Sequence, residues 1–177
     1  QANAGDGVRF VAAPCLGACD KAPAAADGHH LIETADEARL TRLAATDYVP
    51  APLSGYTDFD AYQAAGGYRL AKMLATGEAD KDELLAVLDA SALRGLGGAG
   101  FPTGRKWSIV RSYDGPRYLA VNGDEGEPGT FKDRHYLSTD PHRMIEGVLL
   151  AAHIVGIDTA FIYMRDEYPE IIEMLRT

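Results

Sequence analysis

A glycine-rich segment at residues 93–107, LRGLGGAGFPTGRKW, is the first stretch of the chain whose residue types could bind a ligand. Residues 82–93 before it place apolar side chains at helical spacing, and Pro102 disfavours helical geometry at the residue that precedes it. We therefore predict a long loop between two helices, in which glycine lets the backbone N–H groups turn toward an anion. Three of its glycines also have the spacing of a dinucleotide-binding fingerprint, which normally joins a strand to a helix: Gly95, Gly97 and Gly100.

Two side chains strengthen the case that this loop binds a ligand. Lys106 supplies a positive charge, and Phe101 supplies a flat aromatic ring in the middle of the segment. The alternative is an ordinary flexible surface loop, but long loops in compact domains are usually functional. The density of glycine also favours a binding role: Gly95, Gly97, Gly98, Gly100 and Gly104.

A second candidate site is the acidic, turn-rich segment NGDEGEP at residues 122–128, which directly follows a predicted strand. Parallel α/β sheets place their ligands at this end of a strand. The carboxylates of Asp124, Glu125 and Glu127 would repel a phosphate, but they can accept hydrogen bonds from hydroxyl and ring N–H groups. The two segments therefore suit opposite ends of one ligand, such as a nucleotide or a flavin. A solvated acidic turn and a magnesium site are the alternatives.

Cys15 and Cys19 are the only cysteines, and two thiolates four residues apart can bind the same metal ion or cluster. A closed site needs about four ligands, and none of the five histidines has metal-ligand spacing to this pair. We therefore predict no metal site, and we interpret the cysteines as small buried thiols or as the remnant of an iron–sulfur site. No nucleophile–base pair stands out either, so no catalytic residue is assigned and any chemistry belongs to a cofactor.

Composition narrows the class of protein. The chain has 177 residues, 46% of them hydrophobic, and a formal net charge of −9, which argues against non-specific binding to nucleic acid or to an anionic membrane. No apolar run approaches the roughly 20 residues of a membrane-spanning helix, and no signal peptide is recognisable. Two cysteines do not make a secreted disulfide scaffold. These features predict a cytoplasmic protein.

The elements that must position these residues fall into two regions. The first, residues 1–47, has a predicted strand at 8–13, a hairpin turn at Asp27–Gly28 and an amphipathic helix from Thr34. Residues 48–54 contain two prolines and are predicted to be a linker. Together these patterns suggest a small, partial α/β domain that precedes the main one.

The second region, residues 55–177, alternates helices and strands. A helix over 58–75 is expected to bend at Gly66–Gly67, and Asp140–Pro141 is a strong signal for the start of a long helix. The order strand, helix, strand, helix predicts an α/β fold whose parallel strands are joined by a right-handed crossover. The remaining predicted elements are a helix from residue 82, a strand at 117–122, a buried strand at 159–165 and a helix at 168–177.

Four segments that occur in this order between residues 90 and 168 carry a family resemblance: GGAGFPTGRKW, NGDEGEPGTFKDR, PHRMIEG and FIYMRDEY. They resemble the FMN- and NADH-binding subunit of respiratory complex I and its soluble relatives, most closely the beta subunit of NAD-dependent formate dehydrogenase. The resemblance implies a Rossmann-like FMN-binding domain. The N-terminal APCLGACDKAPA resembles the second cysteine pair of a thioredoxin-like 2Fe–2S domain. Because the first pair is missing, no cluster is predicted at Cys15 and Cys19.

The resemblance also implies roles for individual residues. Leu96 replaces an arginine that is common in complex I, which favours the soluble branch of the family. By motif position, the residues that bind FMN would be Gly95, Gly97 and Lys106 at the phosphate and ribityl chain, Asn122, Asp124 and Glu125 at the flavin body, and Tyr163 and Glu167 at further flavin positions. Those that bind NADH would be Phe101 by stacking, Glu127 near the ribose, and Lys106.

The implied activity is transfer of electrons between NAD(H) and iron–sulfur clusters through FMN. The implied partners are a gamma subunit with a 2Fe–2S cluster and a catalytic alpha subunit, and a 4Fe–4S cluster is expected beyond the last residue of this chain. A diaphorase subunit of NAD-reducing hydrogenase or of complex I is the alternative within the family. Outside it, a non-catalytic module that docks a partner and a small iron–sulfur carrier built on Cys15 and Cys19 remain open.

Overall fold

A computed structural model of the chain describes residues 9–13, 15–28, 30–43 and 52–177. The chain divides into two compact units, which we describe separately. The first unit comprises Gln1–Tyr56, Gly123–Thr139 and Met164–Thr177, and the second comprises Thr57–Asn122 and Asp140–Tyr163. The domain division expected from the sequence, with a linker at residues 48–54, stays a prediction, and most of that linker lies outside the described residues.

The described part of the first unit contains a hairpin and three helices. Strand β1, at Ala25–Asp27, pairs antiparallel with strand β2, at His30–Ile32. Ala25 lies opposite Ile32 and Asp27 opposite His30, and Gly28 takes the left-handed conformation that the turn requires, at φ 59°. The predicted hairpin is therefore confirmed. The elements of this unit are a 3₁₀ turn at Cys19–Lys21, β1 at Ala25–Asp27, β2 at His30–Ile32, α1 at Glu37–Leu43, α6 at Lys132–Thr139 and α8 at Pro169–Arg176.

The strand predicted at residues 8–13 is not formed in the described part of that stretch. Arg9 makes an isolated bridge, and residues 10–13 have no regular structure. A strand needs a neighbour to complete its hydrogen bonds, and among the described residues the sheet of β1 and β2 has no third strand. The buried core of this unit is assembled instead from several segments: Ala18, Ile32, Leu137, Tyr168 and Ile171.

Within the described residues, the second unit contains five helices and most of a pair of strands, whose last residues, Gly123 and Met164, belong to the first unit. Its helices are α2 at Phe59–Ala64, α3 at Arg69–Thr76, α4 at Lys81–Ala90, α5 at Thr103–Arg111 and α7 at Pro141–Val155, and its strands are β3 at Tyr118–Gly123 and β4 at Thr159–Met164.

The predicted bend at Gly66–Gly67 is a complete break between α2 and α3. Gly66 has a φ of 95°, and a Cβ on Gly67 would lie 2.1 Å from the Tyr62 ring, so both positions depend on glycine.

β3 and β4 pair in a two-stranded sheet, and the fold is α/β with a parallel sheet, as predicted. The prediction that the strand at 159–165 is buried is wrong, because residues 159–163 of β4 are all exposed, with Phe161 and Tyr163 at 57% and 61%. A sheet of two strands offers little surface against which to bury both faces. The described residues contain no helix long and apolar enough to cross a membrane.

The long helix α7 begins at Pro141 and ends at Val155, and the C-cap residue Gly156 has a φ of 75°, which suits glycine. Asp140 holds the N-cap position, as predicted, but its side chain makes no capping hydrogen bond. Its carboxylate accepts a hydrogen bond from the Arg143 guanidinium at 2.6 Å instead. Beyond the other end of α7, the Arg117 guanidinium donates to backbone carbonyls that include those of Tyr113 and Gly156, which joins the end of α5 to the end of α7.

Candidate functional site

The glycine-rich segment forms a loop that is closed at its base. Arg94 and Pro102 pair in an isolated antiparallel bridge, and the Gly95 N–H donates to the Phe101 carbonyl at 3.0 Å. The Arg94 guanidinium reaches into the loop and donates to the Gly100 carbonyl at 2.9 Å. The predicted loop between two helices is therefore confirmed as far as Pro102, and backbone hydrogen bonds hold its two ends together. Residues 103–107, which the sequence assigned to the loop, instead form the first part of α5, with Pro102 in extended geometry as its N-cap.

The middle of the loop is open. No described protein atom lies within 4 Å of the position that a Cβ would take on Gly97, so this glycine is not required by contacts within the chain. Gly98 and Gly100 have φ values of 93° and 58°, which other residues rarely adopt. Within the described chain, no backbone carbonyl accepts from the N–H groups of residues 96–100. These N–H groups can therefore donate to an anion.

Gly104 differs from the other glycines of the segment. A Cβ at this position would lie 2.5 Å from the Asp89 Cα, so Gly104 allows the first turn of α5 to pack against α4. Lys106 is exposed in the same turn, where the positive end of the helix dipole and the ammonium group both favour an anion. Phe101 is 42% exposed, with the Arg105 guanidinium 6.0 Å from its ring centroid.

Asn122 and Tyr163 occupy equivalent places at the carboxyl ends of β3 and β4. Each is the penultimate residue of its strand, each is exposed, and each ends a segment of the second unit. This is the edge at which parallel α/β sheets bind ligands. The second unit thus contains six of the predicted site residues: Gly95, Gly97, Phe101, Lys106, Asn122 and Tyr163.

The other predicted residues, Asp124, Glu125, Glu127 and Glu167, belong to the first unit. Among them, Glu125 is 3% exposed and its carboxylate accepts hydrogen bonds from the backbone N–H groups of Asp133 and Arg134, at 2.7 and 2.9 Å. The Glu125 carboxylate therefore supplies acceptors for two free N–H groups in the first turn of α6. The Lys132 ammonium lies 3.7 Å from one of the Glu125 oxygens. A carboxylate has more acceptor positions than these contacts fill, so flavin binding by Glu125 stays a prediction.

Arg165 joins these acidic residues, although the sequence motifs assign it no role. Its Nη1 donates to the Glu125 carbonyl at 2.5 Å, and its Nε and Nη2 donate to the two carboxylate oxygens of Glu167 at 3.1 and 2.5 Å. Its Nε also lies 3.9 Å from the Asp124 carboxylate. The hydrogen bond from Arg165 holds the pKa of Glu167 below its ordinary value, and the same bond raises the pKa of Arg165.

The acidic segment is therefore less repulsive than its composition indicates. Lys132 and Arg165 offset part of its charge, whereas Glu127 is exposed to solvent. The compensating residues lie seven or more positions from the carboxylates of this segment that they contact, so composition within residues 122–128 gave no sign of them. The arginine within FIYMRDEY is the signal that could have identified Arg165.

Cys15 and Cys19 take part in the packing of the first unit. Both are free thiols, Cys15 half-buried and Cys19 exposed, so the interpretation as two buried thiols is wrong, and the alternative, the remnant of an iron–sulfur site, stays a prediction. The Gly17 N–H donates to the Cys15 sulfur at 3.4 Å, and the Gly129 N–H donates to the Cys19 sulfur at 3.2 Å. Among the residues that the structure describes, no three histidine, cysteine, aspartate or glutamate side chains converge as metal ligands.

Comparisons with known proteins agree on one family. Residues 88–177, about half of the chain, match the model of the Nuo51 FMN-binding domain. An NADH-quinone oxidoreductase subunit of Rhizobium meliloti is 50% identical over 115 residues, which cover 64% of this chain and 27% of that protein. The corresponding NADH-quinone oxidoreductase subunit of Aquifex aeolicus is 47% identical over 118 residues, 66% of this chain and again 27% of the relative. The chain thus spans about a quarter of the length of these relatives.

The fold of the chain is also similar to that of a solved structure. A chain of an NAD+-reducing [NiFe]-hydrogenase in the H2-reduced state superimposes with a TM-score of 0.73 and 32% identity. The match covers 92% of this chain and 31% of that one, so it includes N-terminal residues that the family model does not. With its glycine loop, its strand ends and its acidic segment in the order of the family motifs, the chain belongs to the Nuo51 FMN-binding domain family.

Proposed function

We propose that this chain is the FMN- and NADH-binding part of an NADH dehydrogenase-type oxidoreductase subunit. The observation that carries the proposal is the open glycine loop, where the N–H groups of residues 96–100 have no backbone acceptor in the described chain and the space around a Cβ of Gly97 is open. Membership of the family, whose model is described as FMN-binding, supports the identity of the ligand. The relatives named as NADH-quinone oxidoreductase subunits support NADH as the second ligand.

FMN fits the residues of the loop. Its phosphate needs hydrogen-bond donors and positive charge, which the loop N–H groups, the start of α5 and Lys106 provide. Its ribityl hydroxyls and ring N–H need acceptors, for which we propose Asn122, Asp124 and Glu125, with Tyr163 and Glu167 at further flavin positions. When bound, FMN supplies hydride exchange with a nicotinamide and transfer of single electrons.

The protein's own part is to position two ring systems and to exclude water. We propose that Phe101, which is 42% exposed, stacks on the nicotinamide nucleotide, and that Lys106 approaches the same ligand. Glu127 accepts hydrogen bonds from a ribose. None of these side chains needs to accept or donate a proton in the reaction, so no general acid or base is assigned.

The Gly97→Val variant tests the proposed function. The added side chain begins in open space, so the fold should be unchanged. It would occupy the space proposed for FMN, and we expect the Kd for FMN to rise at least about tenfold. Gly147→Val on α7 is the matched control, because that glycine also has open space around it. Unchanged FMN affinity in Gly97→Val would contradict the proposal.

At a finer level, we propose that the complete enzyme is a soluble NAD-dependent formate dehydrogenase and that this chain belongs to its beta subunit. Leu96, at a position where complex I commonly has arginine, supports the soluble branch, and the N-terminal cysteine segment supports the formate dehydrogenase branch. Electrons would pass to iron–sulfur clusters of the same complex, which would include a gamma subunit and a catalytic alpha subunit.

The purified complex tests this finer proposal. Formate-dependent reduction of NAD+ by the complex, with the alpha and gamma subunits present, is the expected result. Hydrogen-dependent reduction would instead assign the chain to a hydrogenase of the kind that its fold matches, and quinone reduction would assign it to complex I. A complex with no flavin absorbance would favour a non-catalytic docking module.

A further inference from the structure

We propose that Arg165 is the positioning residue of the candidate site, which holds the acidic segment and Glu167 in the arrangement that receives the ligand. The inference rests on the proposed function and deepens it. Neither the family resemblance nor the motif spacing gives Arg165 a role, although it lies within FIYMRDEY. Its contacts, burial and charge carry the argument.

One guanidinium group reaches three of the predicted site residues. Its Nη1 donates to the Glu125 carbonyl at 2.5 Å, and its Nε and Nη2 form a two-bond fork on the Glu167 carboxylate at 3.1 and 2.5 Å. The Asp124 carboxylate lies 3.9 Å from Nε. A planar guanidinium can donate in these directions at once, whereas the single ammonium group of lysine cannot reproduce the fork.

The surroundings of Arg165 keep this arrangement fixed. Its side chain is 10% exposed, and the guanidinium carbon lies 5.9 Å from the ring centroid of the buried Tyr168. Gly17, in the loop between the two cysteines, packs close to both side chains at a φ of 65°. A Cβ on Gly17 would lie 3.4 Å from the Arg165 Nη1 and 3.4 Å from the Tyr168 hydroxyl. The cysteine segment therefore packs on the positioning residue.

The charges explain why such a residue is needed. The carboxylates of Asp124 and Glu167 lie 3.9 and 2.5 Å from the same guanidinium, so without Arg165 both would lose their shared compensating charge and would repel each other more strongly. The backbone of the acidic segment would also lose the donor to its Glu125 carbonyl. Both changes displace the groups that accept hydrogen bonds from the flavin, and added negative charge weakens the binding of an anionic ligand.

Three variants separate positioning from simple charge. Arg165→Gln removes the charge and the fork, Arg165→Lys keeps the charge but loses the fork, and Arg176→Gln is the control, because Arg176 is 72% exposed and lies 3.6 Å from the Glu173 carboxylate. In a titration of the purified protein with FMN, we expect the Kd to rise about tenfold or more for both Arg165 variants, since a charged hydrogen-bond donor is lost. The control should bind like the wild-type protein.

Chemical rescue gives a readout that a general loss of packing would not produce. In Arg165→Gly, ethylguanidinium should restore most of the FMN affinity, because it can replace the planar fork, and ethylammonium at the same concentration should not. Thermal unfolding of each variant, recorded in parallel, establishes that the folded protein is being titrated.

Five results would decide against the inference or against its basis. Wild-type FMN affinity in Arg165→Gln, wild-type FMN affinity in Arg165→Lys, or equal rescue by both cations would overturn the positioning role. Loss of cooperative unfolding in both Arg165→Gln and Arg165→Lys would overturn it in favour of a purely structural role. If the wild-type protein itself binds no FMN, the proposed function fails and the inference fails with it.

Discussion

Glu125 and Glu127 show that neighbouring carboxylates in one segment have different tasks. Glu125 is 3% exposed and accepts hydrogen bonds from the N-terminal N–H groups of α6, whereas Glu127 is exposed. The first therefore shapes the segment, whereas the second is accessible to solvent, and its role at the NADH ribose stays a prediction. The charge pattern of the segment could not separate a buried carboxylate from an exposed one, because composition carries no information on burial.

This difference leads to a residue-level expectation for Glu127→Lys. The exposed substitution should leave the fold unchanged but remove the acceptor proposed for the NADH ribose, so the Kd for the nucleotide should rise more than the Kd for FMN. Separate titrations with NADH and with FMN measure the two effects. Glu173→Lys on α8 has the same change of charge at a 73% exposed position and serves as the control. Equal losses for both ligands, or no loss, would count against the assignment.

At the level of elements, local patterns predicted most helices and strands. Apolar spacing located α4 and α7, proline and glycine located the two ends of α7, and the glycine pair located the break between α2 and α3. Helix α6 was not predicted, because the group that satisfies its N-terminus is a carboxylate at Glu125, seven residues before its first residue. Such contacts cannot be recognised from periodicity within the helix itself.

Gly104 shows the same limit within the candidate site. The sequence grouped it with the ligand-binding glycines, but its missing side chain allows α5 to approach α4, with the Asp89 Cα 2.5 Å from the position of a Cβ. Gly97 and Gly98 have open space around a Cβ, and this difference from Gly104 is visible only in the folded structure. Spacing along the chain could therefore indicate a binding loop, but it could not separate packing glycines from binding glycines.

Gly104→Ala should consequently destabilise the fold by about 1 to 3 kcal/mol, because the added methyl group forces two helices apart. Urea unfolding followed by circular dichroism measures the change in the free energy of unfolding. Gly97→Ala adds the same methyl group where no described atom lies within 4 Å, and it should unfold like the wild-type protein. Equal stability of the two variants would show that the α4–α5 contact tolerates a side chain.

At the scale of the whole molecule, the family could be predicted from short motifs, while the network that supports the site could not. The motif residues are contiguous in sequence and can be matched directly. Arg165 acts on Asp124 and Glu125, about 40 positions earlier, and the N-terminal Gly17 packs against it from nearly 150 positions away. Only the folded chain brings these residues together.

The ion pair of Glu167 contributes to the pH dependence of stability. The hydrogen bond from Arg165 lowers the pKa of Glu167 in the folded state below its ordinary value of 4.5. The stabilisation is therefore present above the unfolded pKa and is lost as the pH falls through the folded pKa. We expect Glu167→Gln to be less stable than the wild-type protein at neutral pH and to lose less stability on acidification.

Urea unfolding between about pH 7 and about pH 3 measures this difference. Glu173→Gln, which removes an exposed carboxylate from α8, is the control and should follow the wild-type curve closely. Parallel curves for the wild-type protein and Glu167→Gln over the whole range would show that the ion pair with Arg165 adds nothing to stability.

The most direct measurement of the central claim is anaerobic addition of NADH to the purified protein after it has been loaded with FMN. If the chain positions a nicotinamide against a flavin, the flavin absorbance band bleaches on addition of NADH, and the bleaching needs far more NADH in Glu127→Lys than in the Glu173→Lys control. A protein that holds FMN but leaves its absorbance unchanged at saturating NADH would contradict the account.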